Sequence, residues 1–141
     1  MRLIHVKTGS GGGKTTSAMG LALRALGHDK RVIIIQFMKG RETGEMLALK
    51  QFTNCDFKQF GHEDFVDLDK PSRVDKELAN KALDYAFKKL EEEPFMIVLD
   101  EVNLATTIDL IPEERVLDLL KKAKCHLILT GRRAPQSFTQ H

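Results

Sequence analysis

Apolar residues along this chain alternate between two spacings. Dense short runs occur at "RLIHV" (2–6), "RVIIIQF" (31–37), "CDFKQF" (55–60), "FMIVLDE" (95–101) and "CHLILTG" (125–131), and each reads as a strand. "RVIIIQF" is nearly continuous in β-branched residues, the mark of a strand buried on both faces. The segments between them carry helical spacing. "KTTSAMGLALRALG" (14–27) places Ala18, Leu21, Ala22 and Ala25 on one face, with Gly27 as a stop. Glu45 to Phe52 reads as a short helix. Pro71 opens a longer one, in which Val74, Leu78, Ala82, Tyr85 and Leu90 recur before Glu91–Glu93 and Pro94 end it. Pro112 opens "PEERVLDLLKKA", with acidic residues first and lysines last, as the helix dipole favours.

Strands that alternate with helices and are themselves buried predict an α/β fold, a mostly parallel sheet with helices on both faces. The chain has 141 residues, the size of one domain, and neither a repeat nor a low-complexity linker divides it. A hydrophobic content of 42% with 30% charged residues fits a globular chain. A net charge of +2 gives no argument for nucleic acid. Apolar runs reach about five residues against the roughly 20 that a bilayer requires, and no signal peptide follows Met1, so no membrane partner and a cytoplasmic location are expected. Cys55 and Cys125 are far apart and read as buried thiols, and the five histidines show no metal-ligand spacing.

In such sheets ligands bind at the carboxyl ends of the strands. Four polar segments fall there: Gly9–Thr15, Gln36–Gly40, Asp100–Asn103 and Thr130–Pro135. The first has the content of a phosphate-binding loop, Gly9-Ser10-Gly11-Gly12-Gly13-Lys14-Thr15-Thr16, between a strand and a helix. Its glycines let backbone N–H groups approach phosphate oxygens, the helix start adds partial positive charge, and Lys14 adds a full one. Thr15 offers a hydroxyl to Mg2+, with Thr16 beside it. The usual spacing, G-x-x-x-x-G-K-[ST], puts the first glycine at position 8, yet Thr8 stands there and the glycine comes at Gly9.

An acidic residue at the end of a buried strand needs a cation, so Asp100 is a candidate to hold magnesium or its water. Glu101 follows directly. One of the two is expected at the metal, and the other is free to orient substrate or pair with a base. Gln36 and Lys39 follow the second strand at the same edge. Arg132 and Arg133 lie past the fifth, and arginine suits triphosphate contacts.

Together these segments resemble the P-loop ATP:corrinoid (cob(I)alamin) adenosyltransferases. The resemblance rests on "TGSGGGKTTSAMGLALRALGH", "RVIIIQFMKG", Gly44–Glu45, "VLDEVN" and "ILTGRRAP", in the family's order, from Val6 to Pro135. The family's loop, G-N-G-K-G-K-T-T, carries the same late glycine, with Ser10 here for its asparagine and Gly12 for its lysine. The resemblance implies a P-loop NTPase (RecA-like) sheet that binds ATP and Mg2+. It implies transfer of the 5′-deoxyadenosyl group of ATP to the cobalt of a reduced corrinoid, with release of triphosphate. ATP would lie reversed in the loop relative to ordinary NTPases. A homodimer and a flavoprotein reductant are implied as partners.

The chain departs from the family at two places. Family members carry an aromatic pair after the third strand that helps displace the lower cobalt ligand. Phe65 matches the phenylalanine and takes a catalytic role by resemblance, alongside Lys14 and Glu101. Asp67 stands at the tryptophan position, and the chain contains no tryptophan. The family also continues past T-G-R-x-A-P with a further strand and tail, whereas this chain stops at His141, so a short member or a missing tail is expected. Two other readings stay open: a P-loop phosphotransferase or ATPase, such as a nucleoside kinase with Glu101 as base, and a non-catalytic ATP- or corrinoid-binding homologue.

Overall fold

A computed structural model describes residues 2–140; Met1 and His141, the two ends of the expected 1–141 domain, lie outside the described residues. Five strands form one all-parallel sheet: β1 (Ile4–Lys7), β2 (Val32–Phe37), β3 (Cys55–Phe60), β4 (Met96–Asp100) and β5 (His126–Thr130). Their order across the sheet is β1-β5-β4-β2-β3. This is the expected α/β P-loop NTPase-like architecture, with β5 inserted between the strand that leads into the glycine loop and the strand that ends in Asp100. Among the described residues no helix is long and apolar enough to cross a membrane.

The two-residue period of a strand divides the core into two. Ile33, Ile35, Phe37, Ile97, Leu99, Leu127 and Leu129 face α3 (Arg73–Leu90), α4 (Val102–Thr107) and α5 (Glu113–Lys122). Val32, Ile34, Met96, Val98 and Ile128 face α1 (Lys14–Gly27) and α2 (Gly44–Leu49). Every residue of β2 is buried, and each such isoleucine contributes about 1.5–3 kcal/mol of hydrophobic stabilisation. Both cysteines are free and buried, and burial foremost, then the neighbouring Asp56 charge, pushes the Cys55 thiol up to about 11.

The helix expected over 14–27 forms over that span, with Ala18, Ala22 and Ala25 buried; Leu21 is half-buried, and Met19 and Leu26 complete the face. In α3 the buried stripe is Ala79, Ala82, Leu83 and Ala86; of the expected row Ala82 is buried, Tyr85 and Leu90 pack partly buried against the core, and Val74 is 52% exposed. Three alanines let the helix approach the sheet, with Leu83 the one large side chain of the stripe. Ser72 and Asp75 form a reciprocal capping box at its start. The α4 helix, "VNLATT", was not expected, because Val, Asn and Thr are poor helix formers. Burial of Val102 to Thr106 overrides that propensity. A 3-10 segment, Gln136–Gln140, was likewise not expected, and it buries Phe138 in the α3–α5 core.

Candidate active site

The glycine loop joins β1 to α1 at the carboxyl edge of the sheet. Gly9 and Gly13 have φ of 102° and 90°, which a side chain would strain, so glycine at these two positions is a backbone requirement. A Cβ on Gly9, Gly11, Gly12 or Gly13 would meet nothing within 4 Å, so the loop borders open space. No side chain caps α1, whereas Thr43 and Ser72 cap α2 and α3. The first N–H groups of α1 therefore remain available to an anion. Lys14 Nζ donates to the Gly11 carbonyl at 2.5 Å, across the loop. Ser10 is exposed on the same loop, and Thr16 is exposed in the first turn of α1.

Asp100 is fully buried, and four donors converge on it. Thr15 Oγ1 at 2.9 Å and Thr130 Oγ1 at 2.6 Å donate to Oδ1. Gln36 Nε2 at 3.0 Å and Lys39 Nζ at 2.6 Å donate to Oδ2. Strand parity explains why this carboxylate meets Thr15. Asp100 shares a face with Met96 and Val98, the face that packs on α1. Lys39 Nζ also lies 3.3 Å from Thr15 Oγ1, so one ammonium group contacts both the hydroxyl and the carboxylate. The ligand set is oxygen alone, as a hard divalent cation prefers. Among the described residues no cluster of three or more His, Cys, Asp or Glu could hold a metal. An ion at Thr15 and Asp100 would therefore complete its shell with water and nucleotide phosphate.

Glu101 leaves the strand in a left-handed turn, φ 68°, and its N–H donates to Thr130 Oγ1 at 2.9 Å. Its carboxyl is held above the ordinary range, chiefly by burial, against the lowering charge of Lys39 and with the Asp100 charge adding to the rise. It lines a cleft of about 310 Å³ together with Lys39, Arg132, Phe65, Val66, Leu68 and Leu104. Phe65 is 91% exposed, so it is not a core residue; its ring lies 5.4 Å from the Arg41 guanidinium. The loop that carries it begins where two backbones touch. A Cβ on Gly61 would lie 2.5 Å from Lys39 N, and one on Gly40 would lie 2.5 Å from the Gly61 carbonyl. His62 then pairs with the buried Asp75 at 2.7 Å.

The structure thus brings together Lys14, Thr15, Gln36, Lys39 and Asp100, and sets Glu101, Arg132 and Phe65 around the adjoining cleft. Sequence reasoning missed three contributors. Thr130 holds both Asp100 and Glu101, and Gln59 donates to Gln36 Oε1 at 2.9 Å. Asn103 Nδ2 bridges the carbonyls of Lys7 and Gly131 at 3.2 and 2.9 Å, tying the exits of β1 and β5 to α4; its Oδ1 is buried without a partner. Thr130 and Asn103 lay inside segments already singled out. Gln59 had no local signal, because its role depends on strand register.

A model of the family described as "ATP:corrinoid adenosyltransferase BtuR/CobO/CobP" matches residues 1–141. The chain is 35% identical over 145 residues to a corrinoid adenosyltransferase of Sinorhizobium sp., covering 98% of this chain and 67% of that protein. It is 33% identical over 134 residues to corrinoid adenosyltransferase CobA of Salmonella typhimurium, covering 92% and 67%. A corrinoid adenosyltransferase of Pseudomonas aeruginosa is 33% identical over 136 residues, at 94% and 67% coverage.

Proposed function

The chain belongs to the ATP:corrinoid adenosyltransferase family, and from that membership we propose how its own residues move the 5′-deoxyadenosyl group of ATP onto the cobalt of a reduced corrinoid. The substrate Co(I) is itself a strong nucleophile. Its electron pair forms the cobalt–carbon bond at C5′, the C5′–O bond breaks, and that bond's electrons leave with inorganic triphosphate. No serine, cysteine or general base is needed. The protein positions C5′ and neutralises the leaving group.

The loop amides from Gly9 to Gly13, Lys14 and the uncapped start of α1 cradle the triphosphate. Thr16 extends the loop's polar edge, and Arg132 reaches the phosphates from beyond β5. Thr15 and Asp100 would hold Mg2+, which would supply further positive charge to the leaving group. Gln36 and Thr130 keep the Asp100 carboxylate in place, and Lys39 adds positive charge beside it. Glu101, in the cleft, orients substrate beside the reacting carbon. Phe65 faces the corrinoid and acts on its lower ligand, a role it fills without the tryptophan of the family pattern. The 141 residues act as one nucleotide-binding domain. A homodimer in the cytoplasm and a flavoprotein reductant complete the reading.

The observation that carries it is the double placement of Lys39. It bonds Asp100 beside the glycine loop and also lines the mainly apolar cleft, which supports reading the two as the phosphate side and the corrinoid side of one site. The test is product analysis with chemically reduced cobalamin and ATP. Adenosylcobalamin and triphosphate are expected in equal amounts. ADP and phosphate would instead identify a phosphotransferase or ATPase, and cobalamin binding without turnover would identify a non-catalytic homologue.

A further inference from the structure

Gln59 on β3 stands opposite Gln36 on β2, and Gln36 stands opposite Asp100 on β4. Parallel register therefore sets three polar side chains in a row on the α1 face of the sheet. Gln59 Nε2 donates to Gln36 Oε1 at 2.9 Å and to the Arg41 carbonyl at 2.7 Å. Both partners are acceptors. The reversed amide would set oxygen against oxygen twice, so the partners themselves dictate its orientation. Gln36 is 1% exposed, and its amide is consequently fixed as well, with oxygen toward Gln59 and nitrogen toward Asp100 Oδ2.

That fixing matters at Asp100. Of its four donors, Thr15 and Lys39 contact each other and lie on the side where a cation at Thr15 and Asp100 would sit. Thr130 and Gln36 remain. The Thr130 hydroxyl is set by the Glu101 N–H it accepts. The Gln36 amide has two faces and can present either a donor or an acceptor to the carboxylate. We propose that Gln59 is a positioning residue for the ATP-bound metal: it locks Gln36 as a donor and so keeps the Asp100 carboxylate aimed at the cation. The proposal rests on the reading of Thr15 and Asp100 as the magnesium pair. Without Gln59, Gln36 Oε1 has lost its donor in a buried site, and Asp100 Oδ2 alone holds the amide, which is then less firmly kept against the carboxylate.

The test is calorimetric binding of ATP with and without magnesium, with no corrinoid present. Gln59→Leu keeps the volume and removes the donor at a partly exposed position. It is expected to weaken magnesium–ATP binding about fivefold to tenfold, in line with one lost neutral hydrogen bond. Binding of ATP alone should stay within about twofold, and Gln59→Leu added to Gln36→Leu should cost no more than about twofold further. Three results would overturn the proposal: wild-type magnesium–ATP affinity in Gln59→Leu, an equal loss with and without magnesium, or full multiplication of the two effects in the double variant. Asp100→Asn separates the underlying reading. If that variant keeps the whole magnesium-dependent gain, the magnesium pair is wrong. If it loses the gain while Gln59→Leu keeps it, Gln59 alone is wrong.

Discussion

Asp100 and Lys39 form a pair in which one member is fully buried and the other about one-third exposed. Asp100 retains three further donors without Lys39, so the cost of removing the lysine stays well below that of stranding a bare buried charge. Lys39→Met is expected to lower stability of the ligand-free protein by about 1–2 kcal/mol, the scale of one charged hydrogen bond, read as a shift in urea midpoint. An unchanged midpoint would show that the pair contributes nothing in the free state. Lys14 is different. Its bond to Gly11 lies on an exposed loop. Lys14→Ala should leave the urea midpoint unchanged while kcat/KM falls about 100-fold, through lost stabilisation of the leaving triphosphate. A variant that keeps wild-type turnover would remove Lys14 from the reaction.

At the scale of elements, the exits of β2 and β3 form one unit. Gly61 packs its backbone against Met38 and Lys39, so the position of Lys39 and the start of the Phe65 loop are set by the same contact. Gly61→Ala drives a methyl group into main-chain atoms that have no flexible side chain to move aside. A loss of about 2–4 kcal/mol is expected, at the upper end of overpacking penalties. Thermal unfolding that matches the wild type would mean that the loops separate easily. Phe65 tests the other end of this loop. Because its ring is almost wholly exposed, Phe65→Ala should leave the melting temperature unchanged. Its effect should appear in adenosylation that starts from Co(II), and much less with preformed Co(I). Equal losses from both starting states would rule out action on the lower cobalt ligand.

Across the whole molecule, charge is organised at both ends of the sheet. Opposite the site, Arg31 and Lys89 bind Asp56 at 2.8 and 3.1 Å. Burial raises the Asp56 carboxyl, but the Lys89 hydrogen bond and the Arg31 charge outweigh it and hold the group below the ordinary carboxylate range. Nearer the site, Asp75 is also held low, since its bonds from Ser72 and the His62 charge outweigh burial. A carboxylate lowered in the folded state stabilises the fold above its unfolded pKa, about 3.9. That contribution disappears as pH falls through the lower folded values. Urea midpoints should therefore hold steady down to about pH 5 and decline below pH 4. Asp56→Asn should flatten the decline, and an identical acid profile in that variant would remove Asp56 as its source.

The chain by itself determined the elements whose information is local. Five apolar runs, a helix of 14 residues and a glycine loop before Lys14 are legible because strand and helix periods and left-handed glycines are properties of neighbouring residues. The family motifs were legible for the same reason. Three matters were settled by tertiary structure alone. Burial made "VNLATT" a helix against its propensity. The face on which α1 packs decided that Asp100, one residue before Glu101, bonds Thr15. Register between strands far apart in sequence aligned Gln59, Gln36 and Asp100 in one row. No local pattern encodes such a row, because each member becomes a neighbour of the next only when the sheet assembles.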